Sequence, residues 1–183
     1  GLDIRQNQIT DMEVLHDLQK LERISVDYNS MSVVNYGFKH LKRLMMSKNH
    51  LTQFTIINDQ CLLTDLNLSN CKLPSLPDDI FIRVPSLESL NLDSNTLAVL
   101  PNSITVLTKL QRLSVKSNNL DALPSDISRL THLRTLDVQN NNLKAIPRDI
   151  WLCGFLNTLN CSSNLLEAFP EPYASSSLHS NSQ

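Results

Sequence analysis

The chain of 183 residues predicts an α/β solenoid, with a parallel β-sheet on the concave face and short helical or 3₁₀ segments on the convex face. Three observations predict it. The pattern L-x-x-L-x-L-x-x-N-x-L recurs through the sequence. The spacing between its Asn positions stays within 20–24 residues, and a second pattern, L-P-x-x-I, follows it in the later repeats.

The copies are regular enough to align without gaps in their inner segment. One reads Leu110, Leu113, Val115, Asn118, Leu120, and the next Leu133, Leu136, Val138, Asn141, Leu143. Leu87 to Leu97 matches, and so does Leu63 to Leu73, with Cys71 in the Asn position. Looser copies run from Leu41 to Leu51 and from Leu21 to Met31, and the last from Leu156 to Leu166. The chain opens inside one more copy, at Leu2, Ile4, Asn7 and Ile9, which makes eight repeats and reads as part of a longer array. These repeats occupy residues 1–170. Residues 171–183, rich in Ser and Pro, read as a flexible tail.

Each part of the repeat has a physical role. The segment L-x-x-L-x-L alternates apolar and polar side chains, the period of a strand with one buried face. Stacked copies pair into a parallel sheet. Where the chain turns off the sheet, buried backbone groups need partners, and an Asn side chain supplies both donors and an acceptor. Asn7, Asn29, Asn49, Asn95, Asn118, Asn141 and Asn164 are therefore expected to form a ladder along the stack. Cys71 is expected to be its weakest rung, since a thiol is a poor donor.

Leu100-Pro101 with Ile104 and Leu107, Leu123-Pro124 with Ile127 and Leu130, and Ile146-Pro147 with Ile150 and Leu152 read as short helical returns. The first three repeats lack this signature, and their convex side is expected to be looser.

Composition narrows the function. Hydrophobic content of 41% suffices for one elongated core, and a net charge of −2 without a basic, aromatic-studded run argues against nucleic-acid binding. No apolar stretch reaches membrane-spanning length. Cys61, Cys71, Cys153 and Cys161 are scattered through the repeats and read as free core thiols of a reducing compartment, so a cytoplasmic location is expected. The sequons at Asn67 and Asn160 fall on strands, a poor place for a glycan.

No catalytic constellation emerges. The five histidines are dispersed, and only three glycines are present, too few for a phosphate loop. Asp78-Asp79 sits at a helix start, where acidic side chains are favoured. Neither an enzyme nor a bound metal or cofactor is expected here.

Function then rests on the exposed strand positions, since arrays of this shape bind other proteins on the concave face. Arg, Tyr and Met are the types enriched at interface centres. Tyr28, Arg43, Met45 and Lys48 are candidates for one centre, Arg112 with Lys116, between Asp93 and Asp137, for a second, and Arg23 is a further partner-facing candidate. Asp27 and Asp65 also interrupt the basic stripe.

The combined consensus resembles the intracellular, Ras-associated class of leucine-rich repeats. Within it, Asn70-Cys71-Lys72-Leu73, Asp149-Ile150-Trp151-Leu152-Cys153 and the run Leu159 to Leu166, followed by Phe169-Pro170 and a Ser-rich exit, resemble the repeat region of fungal adenylate cyclases. That resemblance implies a non-catalytic array that binds GTP-loaded Ras and thereby activates a cyclase domain elsewhere in the polypeptide. Mg²⁺ and ATP would belong to that domain. The basic residues Arg23, Arg43, Lys48, Arg112 and Lys116 would face an acidic Ras surface. Two other readings stay open: a scaffold joining a small GTPase to a phosphatase or kinase, and a secreted receptor ectodomain.

Overall fold

The computed structural model describes residues 1–174. Its elements in chain order are β1 (Leu2–Asp3), the 3₁₀ helix η1 (Glu13–Asp17), β2 (Arg23–Ser25), β3 (Val33–Tyr36), β4 (Arg43–Met45), β5 (Gln53–Ile56) and β6 (Asp65–Asn67). Then follow η2 (Ile80–Arg83), β7 (Ser89–Asn91), η3 (Asn102–Val106), β8 (Arg112–Ser114), η4 (Ile127–Arg129), β9 (Thr135–Asp137), η5 (Arg148–Leu152) and β10 (Thr158–Asn160). Among the described residues one strand per repeat builds an eight-stranded parallel sheet, in the order β1-β2-β4-β6-β7-β8-β9-β10.

Register follows from the leucine pattern. Ile24, Leu44, Leu66, Leu90, Leu113, Leu136 and Leu159 stand opposite one another across successive strands. A slip of one residue would turn this whole apolar row to solvent, so the pattern admits one register. From Ile24 to Leu136 the row is buried, and Leu159 at the last repeat is only partly covered.

The turn after each strand places the residue before the Asn position in the left-handed region. Gln6, Tyr28, Lys48, Asn70, Ser94, Ser117, Asn140 and Ser163 have φ between 54° and 59°. None is glycine, so each position costs about 1–2 kcal/mol of backbone strain. The stack holds the turn in place. The amide of Lys48 donates to Ser69 O at 3.1 Å, and that of Ser117 to Gln139 O at 2.9 Å.

The Asn side chains close the inner side of the turn. Asn118 Nδ2 donates to Val115 O in its own repeat at 3.0 Å and to Leu92 O in the preceding one at 2.9 Å, while Oδ1 accepts Leu97 N at 3.1 Å. Asn49, Asn95 and Asn141 are bonded likewise and are buried. Asn29 and Asn164 are half-buried. Asn7 is exposed at the edge of the array and donates only to Ile4 O and Arg5 O.

Cys71, expected to be the weakest rung, is supported from the backbone. Its thiol donates to Met46 O at 3.1 Å, and its backbone carbonyl accepts Leu51 N at 2.8 Å, replacing the missing side-chain acceptor. The next residue, Lys72, is driven to φ 56°.

The returns on the convex side are 3₁₀, one of the two forms expected, closed by bonds such as Ile104 N to Pro101 O at 3.0 Å and Leu107 N to Ile104 O at 3.1 Å. Two other expectations for this side are corrected. In the last return Leu152 is exposed and Cys153 takes the buried place, three residues after Ile150, as Leu107 follows Ile104. The irregular early repeats are not loose. β3 and β5 pair in parallel, Val34 opposite Phe54 and Tyr36 opposite Ile56, and all four side chains are buried. Val34, Phe54 and Ile56 belong to alternating segments whose β-branched and aromatic residues suit a strand, and they displaced the helix here.

The repeat contacts extend past residue 170. Arg148 donates to Glu171 O and Pro172 O, both at 3.1 Å, and its guanidinium lies 4.3 Å from the Tyr173 ring centre. The Tyr173 hydroxyl donates to Asp149 Oδ1 at 2.5 Å, and Trp151 Nε1 to Pro170 O at 2.8 Å. Glu171–Tyr173 thus dock on η5 instead of leaving the array. The serines from 175 onward lie outside the described residues.

Candidate functional site: the concave face and its rim

Two rows of outward side chains cross the sheet. One runs Arg23, Arg43, Asp65, Ser89, Arg112, Thr135 and Thr158, and the other Ser25, Met45, Asn67, Asn91, Ser114, Asp137 and Asn160. Both result from the strand period, which sends alternate residues to the face opposite the leucines.

The first row is charge-paired. Asp65 lies 3.3 Å from Arg43 and 3.9 Å from Arg112, so one half-buried carboxylate joins the two basic centres. Arg112 also donates to Ser89 Oγ at 3.4 Å. Lys116 lies 3.6 Å from Asp93, a buried carboxylate whose other oxygen accepts the Ser114 hydroxyl at 2.5 Å and Lys116 N at 2.9 Å. Arg23 has no carboxylate partner among the described residues.

The remaining acids bond to backbone. Asp27 Oδ1 accepts Ser47 N and Ser47 Oγ, both at 2.7 Å, and Asp137 Oδ1 accepts Gln139 N at 3.1 Å. At the edge of the array the Arg5 guanidinium bonds Asp3 and holds its carboxyl below the usual carboxylate range.

The candidates named from sequence are divided between the floor of the sheet and its rim. Arg23, Arg43, Met45 and Arg112 lie on strands of the floor, and Lys116 one turn beyond. Tyr28 and Lys48 occupy left-handed turn positions at the rim. Tyr28 is 53% exposed, enough to be an anchor for a partner.

Beside Lys48, the rim carries two residues that strand-based reasoning passed over, His50 and Lys72. They line with Lys48, Asn70 and Ser94 a shallow cavity of about 330 Å³. Their place one residue after the Asn position was the available signal.

No group of three His, Cys, Asp or Glu is placed to hold a metal among the described residues. All four cysteines are free, and burial pushes the Cys61 and Cys71 thiols up to about 11, away from nucleophilic use. No helix among the described residues is long and apolar enough to cross a membrane.

Parallel strands on one face, 3₁₀ returns on the other and a ladder of Asn side chains between them define a leucine-rich repeat array. Residues 61–120 match the family described as Leucine rich repeat, and residues 132–153 match a second family of that description. A leucine-rich repeat protein of Leptospira interrogans superposes with TM-score 0.82 at 27% identity, over 92% of this chain and 44% of that one. Internalin C2 of Listeria monocytogenes shares the fold alone, with TM-score 0.76 and 18% identity over 89% and 71% of the two chains.

The likeness to a particular kind of protein is to the repeat region of fungal adenylate cyclases. The chain is 38% identical over 87 residues to the adenylate cyclase of Podospora anserina, and 37% identical over 108 residues to that of Mycosarcoma maydis. These matches take in 48% and 58% of this chain, and 4% of each relative. The segment itself is a protein-binding leucine-rich repeat module.

Proposed function

We propose that this array is the regulatory repeat region of a fungal adenylate cyclase, and that its concave face binds a Ras-type small GTPase in the GTP-bound state. Production of cAMP, with ATP and Mg²⁺, belongs on this reading to a cyclase domain outside these residues. The array acts in the cytoplasm, and at the inner face of the plasma membrane when its partner is anchored there. The observation that carries the reading is the likeness to two fungal adenylate cyclases. The basic row supports it: Arg23, Arg43 and Arg112 would steer an acidic effector surface toward the floor of the sheet.

The test is capture of Ras loaded with a non-hydrolysable GTP analogue, beside Ras loaded with GDP. Nucleotide-dependent capture is expected. Replacing Arg112 and Lys116 with Glu should weaken it about tenfold without changing the circular dichroism. Capture that ignores the nucleotide would favour a scaffold, and none by the folded protein would sink the Ras reading.

A further inference from the structure

The floor of the concave face spends most of its positive charge internally. Arg43 and Arg112 share Asp65, and Lys116 lies against Asp93. The rim does not. Each of the eight ladder positions has one residue before it and one after it, and none of these sixteen is acidic. Three of them are basic, Lys48, His50 and Lys72, and all three fall in two adjacent repeats around one cavity. Neighbouring strands lie about 4.8 Å apart, which brings Lys48 beside Asn70 and His50 beside Lys72.

The Cys71 turn shapes this cluster. With no side-chain acceptor at position 71, the Cys71 carbonyl takes the Leu51 amide, and Lys72 becomes the one residue following a ladder position with positive φ among those described. Two acids of the adjoining turns are engaged elsewhere. Asp27 is bonded to Ser47, and Asp93 to Ser114 and Lys116. Neither forms an ion pair with Lys48 or Lys72 among the described residues.

We infer that this rim, Lys48, His50 and Lys72, is a docking site for an acidic, Asp- or Glu-rich segment of a protein partner. The inference deepens the proposed concave-face reading and rests on it for the kind of partner. Charge complementarity commits it to carboxylates: among the described residues these three basic side chains form no ion pair with an acid. The backbone argues against a compact phosphate site. The amides of Lys48, His50 and Asn70 already donate to Ser69 O, Met31 O and Asp93 O, so no backbone nest is free. Recognition falls to ammonium groups on flexible stems, suited to several spread carboxylates.

The test uses the full chain and a fluorescein-labelled hexaglutamate peptide, read by anisotropy at low and high salt. The wild-type chain should bind, less tightly as salt rises. Lys48→Gln with Lys72→Gln should weaken binding about tenfold, and Lys109→Gln with Lys144→Gln, exposed lysines between η3 and β8 and between β9 and η5, by less than about twofold. A rim variant that binds like wild type, a control variant that loses as much, or a wild-type chain that ignores the peptide would each overturn the rim site. The Ras capture fails or succeeds separately: peptide binding without Ras binding keeps the rim and sinks the GTPase reading.

Discussion

The Leu51 amide donates to the Cys71 carbonyl at 2.8 Å, whereas in the neighbouring rungs the equivalent amides of Met31 and Leu73 donate to the side-chain oxygens of Asn49 and Asn95. One side-chain change is thus absorbed by turning a carbonyl, and the strain appears one residue later, at Lys72. Cys71→Asn is expected to restore the side-chain acceptor, release Lys72 from the left-handed region and stabilise the array by about 1 kcal/mol. Thermal unfolding should move up by about 2–4 °C. An unchanged or lower midpoint would mean that the carbonyl substitute costs nothing.

The ladder should be worth most where it is buried. Asn118→Ala leaves the Leu97 amide without its partner and removes both amide donations, at a cost of about 1–3 kcal/mol. Asn7→Ala, at an exposed position bonded only within its own repeat, should change stability by less than about 0.5 kcal/mol. Equal urea midpoints for the two variants would remove burial as the reason for the ladder.

The strand alternation makes a sharper contrast. Leu136 is fully buried, and its neighbour Thr135 lies on the outward row. Leu136→Asp should cost about 3–5 kcal/mol or unfold the adjoining repeats, because the carboxylate has no partner there. Thr135→Asp should leave circular dichroism and melting nearly unchanged.

Alkaline pH should weaken the fold. Burial raises the Cys61 and Cys71 thiols from 9.0 to about 11, so the folded state keeps protons that the unfolded chain has released. This stabilisation is complete below pH 9 and is lost as pH climbs toward 11. Urea midpoints measured from pH 7 to pH 11 should fall above 9. Replacing both cysteines with Ala should flatten that slope even though it lowers the starting stability.

The docked segment Glu171–Tyr173 has a built-in reporter, since Trp151 is the only tryptophan of the chain and donates to Pro170 O. Arg148→Ala with Tyr173→Ala removes the guanidinium–ring contact and the bond to Asp149. Acrylamide quenching of Trp151 should increase while the melting temperature stays within about 2 °C, as expected for a surface change in a domain of this size. Unchanged quenching would mean that the segment adds nothing to the shielding of η5.

The solenoid was readable because its information is local and repeated. A leucine at a fixed offset from an Asn specifies which face is buried, and eight copies leave one register. The convex side of repeats two and three was less readable. Val33–Tyr36 and Gln53–Ile56 lack a helix signal, but pairing depends on two segments 20 residues apart lying side by side. Leu152 misled because a 3₁₀ turn places its third residue inside, which gave the buried place to Cys153.

The sequence by itself determined the repeat number, the buried leucine rows, the strand register and the list of basic residues able to face a partner. Only the tertiary structure decided which of those charges remain free. Arg43 and Arg112 belong to strands separated by β6 and β7, and stacking sets Asp65 near both. Lys48, His50 and Lys72 form no such ion pair among the described residues and gather at the rim. The physical reason is distance: apolar burial follows the order of residues along each repeat, whereas charge pairing depends on how separate repeats lie against one another.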